Sequence, residues 1–194
     1  MDIATSGQDL IDNYKRNEKK IIELQHYFKT IVPGKYIVRI EFHKNNTIDF
    51  NVWEKVDTAQ FPINWFAQWD INPTNYKEEI KSSFDTSKYA PKTRSLTLIL
   101  RKLNWTEDTF SKIKEKLENA NCISVDNNEP SEIGFRRMGL GEYLYLVFDK
   151  PIPDSIRADY NDSCQYIYYN KNLVLEWGGG VIGTQCFPEV HRKH

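Results

Sequence analysis

The sequence predicts an α+β fold in which antiparallel sheet meanders pack against a few amphipathic helices. Three observations carry this. Residues 8–31 and 106–120 repeat their apolar side chains at helical spacing. Several shorter stretches alternate apolar and polar residues across turns rich in Asn and Gly. Finally, 40% hydrophobic and 27% charged residues over 194 positions give enough apolar surface for a real core and exclude a disordered or collagen-like chain.

Taken in order, Leu10, Ile11, Tyr14, Ile21, Leu24, Phe28 and Ile31 recur three, four and seven apart with Lys15, Arg16, Lys19 and Lys20 between them, which predicts an amphipathic helix. Pro33-Gly34 ends it. Tyr36, Val38, Ile40 and Phe42 then alternate with Ile37, Arg39, Glu41 and His43. After Lys44-Asn45-Asn46 the alternation resumes at Ile48, Phe50 and Val52, as in a hairpin with one buried face and with Arg39 and Asp49 turned outward. The aromatic stretch Phe61, Trp65, Phe66, Trp69 has no clear form, although its i, i+4, i+8 spacing fits a helical face; a helix is expected from Asn72-Pro73 to Phe84. A polar seam near residue 90 divides a helix-plus-hairpin half, 1–90, from an α+β half, 91–194, and the two fit one continuous domain equally well.

In the second half, residues 95–100 read as a strand. Thr106 caps a helix whose stripe is Phe110, Ile113, Leu117 and Ala120, with Glu107 and Asp108 at the positive end of its dipole. Strands follow at 122–125, 132–137 and 142–148, the last two joined through Met138-Gly139-Leu140-Gly141. Residues 151–160 fit a short helix, and 165–169 with 173–177 form a further hairpin.

Charge and composition narrow the function. Lys and Arg number 26 against 27 Asp and Glu, a net charge of -1, so the field that draws a polyanion is missing and nucleic acid is not an expected partner. No apolar run approaches a membrane span, and the first residues lack a signal-peptide core. The chain as it begins reads as cytoplasmic; an exported or lipid-anchored protein freed of its signal would read the same. Cys122, Cys164 and Cys186 are too few for a disulfide scaffold, and in a reducing compartment all three are expected free; Cys164 with Cys186 is the pair to test for a single bridge.

Candidate chemistry is thin. The run Gly178 to Gly183 satisfies G-x-G-x-x-G after a predicted strand, but too few residues follow it to build a dinucleotide-binding unit, so no nicotinamide or flavin cofactor is expected. An oxyanion hole made by the same amides lacks a G-x-S-x-G partner. Cys186 with His191, or Cys164 with His43, are the thiol-base pairs a hydrolase would need. His191, His194 and Cys186 lack zinc spacing, and no metal site is assigned. Asp70 with Glu176 is a conceivable acid pair, undecidable without distances.

For binding, Trp65 and Trp69 suit a sugar face or a protein hot spot, and Tyr143, Tyr145, Tyr166 and Tyr168 alternate so that two tyrosine rows would share one outer sheet face. Arg136 and Arg137, beside Gly139 and Gly141, have the donors to clamp a carboxylate or phosphate.

The text ANCISVDNNEPSEIGFRRMGLGEYLYLVFDKPIPDS, continuing to YNDSCQYIYYNKNLVLEWGGGVIGTQCF, resembles a group of uncharacterised bacterial proteins over roughly residues 105–187. That resemblance implies no activity and no functional residues; some of the group look exported and lipid-anchored. The expected function is a non-enzymatic protein-binding module, of the kind that neutralises or regulates a partner such as a toxin. The alternatives are a small hydrolase near the glycine-rich turn and a carbohydrate binder using Trp65 and Trp69.

Overall fold

A computed structural model of the chain describes residues 6–55, 63–72, 96–162, 164–178 and 186–187. The first helix, α1 (Gly7–Ile31), begins where Ser6 takes an extended backbone and exchanges capping hydrogen bonds with Asp9, and it ends at Val32 ahead of Pro33. Its face of Leu10, Tyr14, Ile21, Leu24 and Phe28 is buried. Next come the strands β1 (Tyr36–Phe42), β2 (Ile48–Glu54) and β3 (Ile63–Ile71), then the helices α2 (Leu96–Leu103) and α3 (Glu107–Ala120). The chain closes with β4 (Ser124–Asp126), β5 (Ser131–Met138), β6 (Gly141–Val147), β7 (Tyr166–Asn170) and β8 (Leu173–Gly178). These eight strands form one sheet, ordered β3-β2-β1-β4-β5-β6-β8-β7, with every neighbouring pair antiparallel.

The α+β architecture is therefore as the sequence reads, and β1–β2 is the expected hairpin, with Val38, Ile40 and Phe50 wholly buried. Alternation sends these side chains to the helix-covered face, where Trp105 packs its ring against Phe28, Phe50 and Phe110 and donates from Nε1 to the Ile31 carbonyl at 2.9 Å. A fully buried amide, Asn13, ties α1 to the rest of this layer. Its Nδ2 donates to the Ala120 carbonyl and to Tyr145 Oη, while its Oδ1 accepts from Asn121. On the opposite face a smaller cluster of Leu146, Ile152 and Val174 lies beneath Phe148, Tyr160, Tyr166 and Tyr168.

Two local readings are corrected. Residues 96–100 belong to the helix α2, not to a strand: Leu96, Ile99, Leu100 and Leu103 are buried at helical spacing while Leu98 is 38% exposed. The short alternation Leu-Thr-Leu imitates strand periodicity, and only the window extended to Leu103 shows the helical period. The aromatic stretch at 63–71 is the strand β3, so a helical face through Trp65 and Trp69 does not exist. Residues 151–160 hold two 3-10 turns, Asp154–Ile156 and Ala158–Tyr160. The helix expected at 72–84 (beyond Asn72) and the seam near residue 90 lie outside the described residues, but strands from either side of that seam join in one sheet through β1 and β4.

Candidate functional site

β4 is the shortest strand, and both its neighbours outrun it. It pairs with β1 over Arg39, Ile40 and Glu41 and with β5 over Ile133 and Gly134. Beyond these, Ile123 closes the ladder by accepting from Phe42 N–H at 2.9 Å and donating to the Gly134 carbonyl at 2.8 Å. The chain then turns away to the end of α3, where Asn121 takes a left-handed backbone. At the opposite end of β4 a side chain takes over the strand's role: Asn127 Oδ1 accepts from Val38 N–H at 2.7 Å and its Nδ2 donates to the Tyr36 carbonyl at 3.0 Å. Among the described residues no side chain does the same for residues 135–138 of β5.

The result is a cleft of about 900 Å³ beside β5, past the point where both β4 and β1 stop. Phe42, Cys122, Ile123, Phe135 and Met138 supply its apolar surface, with Glu41, His43, Lys44, Glu118, Arg136 and Arg137 around it. The β5–β6 register slips between Gly134 and Arg136, a bulge that changes which face each arginine takes. Arg136 lies opposite Tyr143, on the helix side, and its guanidinium sits 5.0 Å from the Phe135 ring centre. Arg137 lies opposite Glu142, on the other face, and grips both oxygens of Glu41. The two arginines point to opposite faces and form no joint clamp; Arg137 makes a salt-bridged edge and Arg136 an exposed one.

Glu41 and Arg137 are the outer end of a polar network on the sheet face away from the helices. Arg39 donates to Glu132 at 2.6 Å and to Glu142 at 2.7 Å, and Ser124 Oγ donates to Glu142 Oε1 at 2.6 Å. Gly134 makes this possible, because a Cβ there would stand 1.7 Å from Glu142 Oε1. Burial disfavours the charge on Arg39, but Glu142, Glu132, Asp126 and Glu41 outweigh it and hold the guanidinium firmly protonated. Burial pushes the Glu142 and Glu176 carboxyls above their ordinary range, against the opposing pull of Arg39 on the first and the Gln165 hydrogen bond on the second. Asp126 is pushed up to about 7, chiefly by burial and then by Glu132.

The tyrosine rows separate. Tyr143 and Tyr145 are fully buried on the helix side, the first stacked on Trp177 and the second donating to the Leu10 carbonyl at 2.8 Å. Tyr166 and Tyr168 lie opposite Glu176 and Val174, on the other face, and are only partly covered. The shared row is thus absent: β6 turns its tyrosines toward α1 and β7 turns its own away. Trp69 is 66% exposed on β3; Trp65 is in the same strand, with its side chain outside the described residues.

The thiol-based alternatives are overturned. Cys164 and Cys186 form a disulfide, so neither is a free nucleophile, and the expectation of three free thiols fails. Cys122 is buried, donates to the Ala120 carbonyl, and has its thiol pushed far upward by burial. Asp70 and Glu176 stand six strand spacings apart in the sheet order, ~29 Å along the sheet, far beyond the ~5–9.5 Å of a glycosidase pair. Gly178 ends β8; the rest of the glycine-rich run, with His191 and His194, lies outside the described residues. His43, Asp49 and Asp70 do come together, with His43 Nε2 3.0 Å from Asp49 Oδ1, a cluster that sequence spacing did not reveal.

Sequence reading also missed the buried network. Its one signal was the set of charged residues Arg39, Glu41, Glu132, Glu142 and Glu176 inside otherwise apolar strands. No described helix is long and apolar enough to cross a membrane. The chain matches no family model, no curated protein and no solved structure.

Proposed function

We propose that the chain is a non-enzymatic protein-binding module whose contact site is the cleft beside β4. The observation that carries this reading is the cleft's make-up: an open apolar floor of Phe, Ile and Met side chains inside a rim of Arg, Lys, Glu and Asn. That is the anatomy of a protein interface, where an apolar centre is ringed by polar groups and Arg, Met and aromatic residues are enriched. The same surroundings argue against catalysis. The buried carboxylates with raised proton affinity are bonded to Arg39, Ser124 and Gln165, and the thiol at the floor is protonated. A nucleophile with an adjacent base and an orienting group is the minimum for acyl transfer, and among the described residues the cleft brings no such trio together.

A displayed library of random 16-residue peptides, panned on the folded protein, tests the proposal. Enrichment of peptides that bind wild type and Trp69→Ala but lose Met138→Asp, all three variants having similar melting temperatures, supports it. Failure to enrich any peptide, or peptides indifferent to Met138→Asp, overturns it. Loss of binding with Trp69→Ala alone would move the site to the exposed tryptophan and favour the carbohydrate-type aromatic shelf.

A further inference from the structure

We infer that Asn45, at the tip of the β1–β2 hairpin, is an acceptor site for an N-linked oligosaccharide. The inference is independent of the protein-binding reading.

Three tripeptides of the chain have the acceptor pattern Asn-x-Ser/Thr with x other than proline: Asn45-Asn46-Thr47, Asn104-Trp105-Thr106 and Asn161-Asp162-Ser163. The pattern alone is common, and the fold separates the three. Transfer needs the carboxamide nitrogen Nδ2 open to solvent and the whole tripeptide within reach of an enzyme. Asn45 and Asn46 are both exposed, in the turn that His43 N–H closes by donating to the Thr47 carbonyl at 2.9 Å. Asn45 Oδ1 accepts from Thr47 N–H at 3.1 Å and lies 2.7 Å from Thr47 Oγ1, with Asp70 Oδ1 the other acceptor for that hydroxyl at 3.1 Å. The Thr47 amide decides which end of the carboxamide faces the turn, so Nδ2 is the outward end, and no described residue accepts from it. A sugar on Nδ2 therefore breaks no hydrogen bond, and Oδ1 goes on holding the turn.

Asn104 differs. Its neighbour Trp105 is 5% exposed, packs against Phe28, Phe50 and Phe110 and donates to the Ile31 carbonyl, so the folded chain holds the middle of that tripeptide in the core. Ser163 of the third tripeptide lies outside the described residues. A second, independent observation is the Cys164–Cys186 disulfide. Disulfides persist in oxidising compartments such as the ER lumen and the bacterial periplasm, and a glycosylated Asn-x-Ser/Thr belongs to the surface loops of proteins sent there. The donor is an oligosaccharide carried on a polyprenyl diphosphate. Asn45 Nδ2 attacks its anomeric carbon: the Nδ2–C1 bond forms, the bond from C1 to the phosphate oxygen breaks, the polyprenyl diphosphate leaves, and one Nδ2 proton passes to a base of the transferase.

The test incubates the full, folded, disulfide-bonded chain with a detergent-solubilised oligosaccharyltransferase of Asn-x-Ser/Thr specificity and its lipid-linked oligosaccharide. The same chain, reduced, alkylated and unfolded, forms a second arm. Enzymatic release of the glycan converts a modified Asn to Asp, and peptide mass mapping then reads each site. A glycan at Asn45 in both arms, and at Asn104 in the unfolded arm only, is the expected result. Thr47→Ala should remove the Asn45 glycan, whereas Thr47→Ser should keep it. An unmodified Asn45 in the folded arm overturns the inference, and so does a folded-arm Asn104 as fully occupied as Asn45.

Discussion

A methyl group added at Gly134 would meet Glu142 Oε1 at 1.7 Å and Ser124 Oγ at 2.1 Å, so this glycine is the gap through which a carboxylate crosses a strand. Gly134→Ala should lower stability by about 1–3 kcal/mol in a urea titration, as overpacking does, and should break the Ser124–Glu142 bond. Asp126 has a pH signature. Its folded carboxyl titrates near 7 against 3.8 for the free group, so between those values the folded chain holds a proton that the unfolded chain has released. Its stabilising contribution is complete below about pH 4 and is lost as pH rises through about 7. Asn at this position keeps the oxygen that accepts from the Asn128 and Glu132 amides. Asp126→Asn should therefore flatten the stability profile over that window and exceed wild type by about 1–3 kcal/mol at pH 8, measured as unfolding free energy. None of this was legible beforehand. Alternation turned Arg39 away from the helix layer but not into solvent: its side chain is 19% exposed, held between Glu132 and Glu142, because period two says which face a residue takes and nothing about what waits there.

Among elements, α1 and α3 were readable because their apolar stripes run for several turns and, for α3, Thr106 precedes the acidic first turn of Glu107 and Asp108. α2 was not, since eight residues contain both a period of two and the start of a period of 3.6, and burial chose the second. The tyrosine rows failed for a related reason. Strands β6 and β7 are not neighbours; β8 lies between them, and the register across β8 decides which parity faces outward. The Cys164–Cys186 link joins the approach to β7 with Phe187, a fully buried ring whose N–H donates to the Cys164 carbonyl at 2.9 Å. Thiol counting on the denatured, unreduced protein should return one, Cys122. The Cys164→Ala/Cys186→Ala double variant should lose about 3 kcal/mol of stability, the chain-entropy value for closing a loop of 22 residues. A count of three with unchanged stability would refute the bridge.

Across the whole molecule, one sheet takes strands from both ends of the chain, and its two flanks are paired through the three residues of β4. Sequence patterning identified the flanks as hairpins but not their union, because no local signal records which distant strand β1 accepts. The brevity of β4 also sets the order of events during folding. The hairpins β1–β2, β5–β6 and β7–β8 close over a few residues each, whereas Glu41 meets Ser124 across roughly eighty residues of intervening chain, a costly closure with only a short ladder to reward it. The joining of the flanks is then the expected barrier, with the contacts of Val125, buried between β1 and β5, formed at its summit. Val125→Ala should slow refolding about tenfold in stopped-flow experiments while leaving the unfolding rate nearly unchanged. The same three residues that join the two flanks of the finished sheet thus act as the clasp whose closing sets the tempo of its assembly.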